Sequence, residues 1–76
     1  MKKVKQILED LYDAILEDIE ETYGGDFEQW IEYGKDVPTG TVEELLQQLY
    51  QAVNEDEAMF DKAVGSTYAR VEKLYR

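Results

Sequence analysis

Six carboxylates on the first long segment, Glu9, Asp10, Asp13, Glu17, Glu20 and Glu21, are the residues of this chain best placed to act together. At 100° per residue they fall within a sector of about 120°, spaced three or four apart on one helical face. Carboxylate pairs suit general acid–base work, but only where a shaped cleft holds them, and a chain this small has little room for one. On an open face they do something else. They present a row of negative charge about 16 Å long, comparable in spacing to a nucleic-acid backbone. The chain has no His and no Cys, which removes imidazole catalysis, thiol chemistry, disulfides and the usual zinc ligands. No glycine-rich phosphate loop is present; Gly24-Gly25-Asp26 reads as a helix break. The run Asn54-Glu55-Asp56-Glu57 lacks the glycine and the twelve-residue rhythm of a calcium loop. The expectation is a non-enzymatic protein with no cofactor and no metal site.

The elements that carry these residues are helical. From Lys2 to Tyr23 the apolar residues Val4, Ile7, Leu8, Leu11, Tyr12, Ile15, Leu16, Ile19 and Tyr23 recur every three or four positions. That is one broad stripe, opposite the carboxylates. Gly24-Gly25 closes the helix, and Asp26, with Gln29 in the capping-box position, opens a short second one. Phe27, Trp30 and Ile31 share its inner face and Gly34 stops it. Val37-Pro38-Thr39-Gly40 forces extended backbone. Thr41 with Glu44 then predicts the start of a third helix, whose inner face is Val42, Leu45, Leu46, Leu49, Ala52 and Val53. Asn54 with Glu57 predicts the start of a fourth, with Phe60, Ala63, Val64, Thr67, Val71, Leu74 and Tyr75 facing inward. Gly65-Ser66 lies away from that stripe. No segment alternates in the manner of a strand. The expected fold is all-α: residues 1–76 form a single small bundle of three long helices plus one short helix. No apolar run approaches the length of a membrane span and no signal-peptide pattern opens the chain, so the expected location is the cytoplasm, with no membrane partner.

Charge is sorted along the chain. With 18 acids and 8 bases the formal net charge is −10, which repels nucleic acid as a direct partner. Lys2, Lys3 and Lys5 open the chain; residues 9–61 hold 17 acids against Lys35 alone; Lys62, Arg70, Lys73 and Arg76 close it against Glu72. In the fourth helix acids come first and bases last, as the helix dipole prefers. The first helix has the reverse order, and its closely spaced carboxylates repel one another by a few tenths of a kcal/mol per pair. Local stability therefore explains one helix and not the other. If the first and fourth helices run parallel, the lysines meet Glu55–Glu57 and the acidic end meets Arg70–Arg76. That leaves Asp10, Asp13 and Glu17 to be explained by a basic surface on another molecule.

Six tyrosines and one tryptophan supply the aromatic content. Tyr23 and Tyr75 lie on inner stripes; Tyr12, Tyr33, Tyr50 and Tyr68 lie near stripe edges. Trp30 and Tyr33, beside the glycine turns, are the candidate anchors for a partner, Trp30 alternatively plugging the end of the bundle.

In size, acidity and helical layout the chain is similar to acyl carrier proteins, four-helix bundles that carry a phosphopantetheine arm on the serine of an Asp-Ser-Leu motif. The matching region here reads Pro38-Thr39-Gly40-Thr41-Val42, and the one serine, Ser66, lies mid-helix. That resemblance implies architecture and no prosthetic group. In bulk composition the chain also resembles small acidic helical proteins of phages and mobile elements, including anti-CRISPR and anti-restriction inhibitors and nuclease immunity proteins. The expected role is an inhibitor that docks its acidic face on a basic, nucleic-acid-binding protein. The alternative is a structural or self-associating adaptor, with a homodimer adding to the stability of a small core.

Overall fold

The computed structural model describes residues 3–76; Lys2 lies outside them. Four helices follow one another: α1 (Val4–Tyr23), α2 (Phe27–Gln29) continuing into a π-helical turn (Trp30–Gly34), α3 (Gly40–Ala52) and α4 (Glu57–Tyr75). The described residues contain no strand. α1 buries Ile7, Leu11, Ile15 and Ile19, a strict i+4 line. Such a line is a helix ridge inclined to its axis, which suits packing against neighbours that cross at an angle. α3 and its cap answer with Val42, Leu45, Leu49 and Val53, the short segment with Phe27 and Trp30, and α4 with Thr67 and Val71. The Thr67 hydroxyl donates to the Ala63 carbonyl at 3.1 Å, so it enters the core already satisfied.

Direction follows from the contacts. Tyr50 near the end of α3 meets Phe60 near the start of α4 edge to face, with ring centres 5.3 Å apart. Glu9 and Glu20 of α1 meet Arg70 and Tyr75 of α4 in the same order along both helices. So α1 and α4 run the same way, and α3, packed on the other side of α1, runs back against it.

Several boundaries differ from the sequence reading. α3 begins at Gly40 with Thr39 as its cap, and neither Thr39 nor the expected Thr41–Glu44 pair makes a side-chain capping bond. α4 is capped by Asp56, which accepts from the Met59 backbone N–H at 3.1 Å, and not by Asn54. Asn54 is used otherwise: with Glu55 it turns left-handed at φ +59°, and the Glu55 N–H returns to the Tyr50 carbonyl to close α3. Leu74 is 60% exposed although its spacing placed it on the inner stripe; Tyr68, half-buried, packs on the core in its place.

The π turn is the least regular element. The Lys35 N–H reaches the Trp30 carbonyl five residues back, at 2.8 Å. A Cβ built on the buried Gly34 would come within 2.7 Å of Trp30 Cδ1 and 2.9 Å of the Tyr23 hydroxyl. Gly34→Ala is therefore expected to destabilise by about 1–3 kcal/mol through overpacking, read from a lowered urea midpoint and a changed tryptophan emission. Gly65 is the opposite case, exposed in mid-helix with open space around it. Gly65→Ala is expected to stabilise by about 1 kcal/mol, raising the urea midpoint at unchanged m.

Candidate protein-binding surface

The fold divides the carboxylate row between two edges of α1. On the α4 edge Glu9 is met by Arg70 Nη1 at 3.1 Å, and the same guanidinium lies 4.1 Å from the centre of the Tyr12 ring. Further along, the Tyr75 hydroxyl donates to Glu20 Oε1 at 3.0 Å. These two acids belong to the α1–α4 seam. Arg76 does not reach α1; it pairs with Glu28 at 2.6 Å and Glu72 at 3.4 Å and tethers the short α2 segment. The expected meeting of the α1 lysines with Glu55–Glu57 is absent among the described residues, where the ion pairs all use Arg70 or Arg76. The register explains it: Glu9, early in α1, lies level with Arg70, late in α4, so the residues before Glu9 stand well past Glu55–Glu57.

The α3 edge is different. Glu17, Asp18 and Glu21 line a groove of about 190 Å³ with Thr22 and the opening residues Thr39–Val42 of α3. They stand beside the positive end of the α3 dipole, which offsets part of their mutual repulsion. Asp18 accepts from the Thr22 hydroxyl at 2.8 Å, and Asp10 accepts from Gln6 Nε2 at 3.0 Å. Asp13, Glu17 and Glu21 are exposed and make no ion pair among the described residues. They form a row about 12 Å long, since eight residues rise 1.5 Å each. No group of three or more acids converges tightly enough among the described residues to hold a metal ion.

Trp30 is not on the surface. It is 2% exposed, stacked against Phe27 at 5.7 Å and edge-on to Tyr68 at 5.5 Å, so it closes the bundle end and offers a partner nothing. Tyr33, three residues on, is 61% exposed, as is Val37 at 68%. Burial, with help from the Asp36 charge, pushes the Tyr68 hydroxyl above its ordinary value; partial desolvation, then the Glu20 hydrogen bond, does the same for Tyr75. Both groups hold their protons more tightly in the folded state. Their contribution to stability is complete below about pH 10 and is lost as pH rises through the folded values. The urea midpoint is expected to fall between pH 9 and pH 11, less so in Tyr68→Phe.

Parallel α1 and α4 bring Arg70 to the acids of α1 as the charge order suggests, but its partner is Glu9, 61 residues away, and not the acidic end of the helix. One participant was not legible in sequence. Asp18, off the carboxylate sector by its spacing, joins the groove because α3 begins opposite it. No family model, curated protein or solved structure matches this chain. No helix among the described residues is long and apolar enough to cross a membrane.

Proposed function

We propose that this protein is a non-enzymatic inhibitor that docks a carboxylate edge on the basic, nucleic-acid-binding surface of another protein, as anti-CRISPR and anti-restriction proteins of similar composition do. The observation that supports this most is selective neutralisation. The chain's own Arg70 and Tyr75 engage Glu9 and Glu20, whereas Asp13, Glu17 and Glu21 stay exposed without an ion pair among the described residues. Carboxylates at this spacing destabilise their helix by a few tenths of a kcal/mol per pair, of which the α3 dipole offsets part, and a basic partner surface would relieve the rest. Tyr33 supplies an exposed aromatic on the same molecule. Trp30 has no part in the contact.

The test has two steps. Immobilised protein is exposed to lysate at about 20 mM salt and eluted in a salt gradient. Steep salt dependence is expected, because exposed charges more than a Debye length apart are screened. The eluted protein is then assayed for duplex binding with and without the free chain. An inhibitor lowers that binding; a captured protein whose nucleic-acid binding is unchanged would remove the proposal.

A further inference from the structure

We propose that the outer face of α4 is a docking surface for the α1–α3 acidic edge of a second copy of this chain, giving head-to-tail association. The inference does not depend on any basic partner protein; it rests on how the fold sorts charge between different patches of one molecule.

α1 packs along both α3 and α4, and α3 meets α4 chiefly where Tyr50 lies edge to face with Phe60. The side of α4 turned away from both carries Lys62, Ser66, Ala69 and Lys73, all exposed. Met59 and Leu74 flank this row at 55% and 60% exposure, two of the four large apolar side chains most open to solvent. By helical spacing the acids of α4, Glu57, Asp61 and Glu72, fall instead on the flank shared with Tyr68 and Tyr75. A wide acid-free face is a distinct feature in a chain with 18 acids and 8 bases. Arg70 and Arg76 are engaged by Glu9, Glu28 and Glu72, while Lys62 and Lys73 make no ion pair among the described residues.

Charge selects the occupant. Nucleic acid is repelled by the net −10 of the whole molecule. Two α4 faces laid together would oppose lysine to lysine. The fitting complement is a row of carboxylates, and every copy carries one in Asp13, Glu17 and Glu21, all exposed. Lys62 and Lys73 lie about 16 Å apart along their helix and that row is about 12 Å long, so the two are commensurate. Because the α4 face and the α1–α3 edge are different patches of one molecule, the contact is heterologous and leaves one unused patch of each kind at the ends.

Whole-molecule repulsion must still be overcome, and ionic strength decides whether it is. The narrowest extent of the molecule is 19 Å, so the centres of two docked copies are about that far apart or more. The Debye length is about 30 Å at 0.01 M salt, about 8 Å at 0.15 M and about 3 Å at 1 M. At the lowest salt the −10 charges repel across the full distance; at 0.15 M that repulsion is screened while the contact pairs survive; at 1 M the contact pairs are screened too. Association therefore passes through a maximum with salt, unlike docking on a basic partner, which only weakens.

Sedimentation equilibrium of the full chain at these three salt concentrations tests this. The expected result is monomer at 0.01 M, a mass that rises with concentration past that of two copies at 0.15 M, and a return toward monomer at 1 M. K62E/K73E and E17K/E21K are each expected to weaken association at least tenfold at 0.15 M, with unchanged helical circular dichroism since all four positions are exposed. An equimolar mixture of the two variants restores it, because each reversed face then meets its complement. Association that only grows with salt would assign the contact to Met59 and Leu74 alone and overturn the proposal. So would monomer at every salt, a discrete dimer that adds no third copy, or a mixture that stays dissociated.

Discussion

Trp30→Ala is expected to unfold most of the population in mild denaturant, not to detach a partner from a folded protein. The indole is 2% exposed and touches Phe27, Tyr68 and Gly34 at once. Truncating a buried tryptophan costs about 3–5 kcal/mol, through lost transfer energy and the cavity left behind. Native domains hold about 0.05–0.15 kcal/mol per residue, so 76 residues correspond to about 4–11 kcal/mol in total. One substitution thus removes about a quarter of the margin or more. Urea titration followed by circular dichroism reads the loss directly, with Trp30→Phe expected to retain more stability because a second ring still fills most of the space. A Trp30→Ala chain that keeps its full urea midpoint while losing partner affinity would return the indole to the binding surface and refute its placement in the core.

That substitution also marks where sequence reasoning stops. Periodicity located the buried lines of α1 and α3 because every member repeats at helical spacing, and burial on one face imposes that period. Ile7, Leu11, Ile15 and Ile19 could be read in this way. Trp30 could be read as an inner-face residue from its spacing with Phe27 and Ile31, but so short a run left open whether it plugs the bundle end or anchors a partner. Its burial is decided by Tyr68 of α4, which it meets edge-on, and by Gly34, whose missing Cβ leaves room for the indole in a π turn that no local preference announces. Leu74 fails for the related reason that α4 carries apolar side chains over a wide sector. The core takes the Tyr68 side of that sector and leaves Leu74 out. Caps were legible as residue types but not as positions: Asp56 outcompetes Asn54 because Asn54 tolerates the left-handed turn that α3 needs to end. The charges were legible as a pattern on α1, but their division into an engaged edge and an open one was not. That division requires knowing that Arg70 lies beside Glu9 and that α3 starts beside Glu17 and Glu21.

Asp13→Lys with Glu17→Lys is expected to abolish partner binding while leaving the fold intact or slightly firmer. Both side chains are exposed and neither makes an ion pair among the described residues, so no internal contact of that kind is lost. Within α1 the reversals turn the repulsions with Glu9, Asp10, Glu20 and Glu21 at i±3 and i±4 into attractions of about 0.2–0.5 kcal/mol each, while positions 13 and 17 remain a like-charged pair. Across an interface the same reversals place two lysines against a basic surface. Close charge pairs at interfaces couple by about 1.5–7 kcal/mol, and like charges there cost several. Even at the low end, two such sites amount to about 3 kcal/mol, more than a hundredfold in affinity at 1.4 kcal/mol per decade. The matched control is Glu9→Lys with Glu20→Gln on the engaged edge. Those changes break the Arg70 and Tyr75 contacts and should lower the urea midpoint, yet leave partner affinity within about threefold after correction for unfolded protein, because each is a cost to the α1–α4 seam. Titration calorimetry of the captured partner with both double variants separates the edges. Equal losses from the two would mean that the whole carboxylate face acts as a diffuse field, and the assignment of binding to the α3 edge would be wrong.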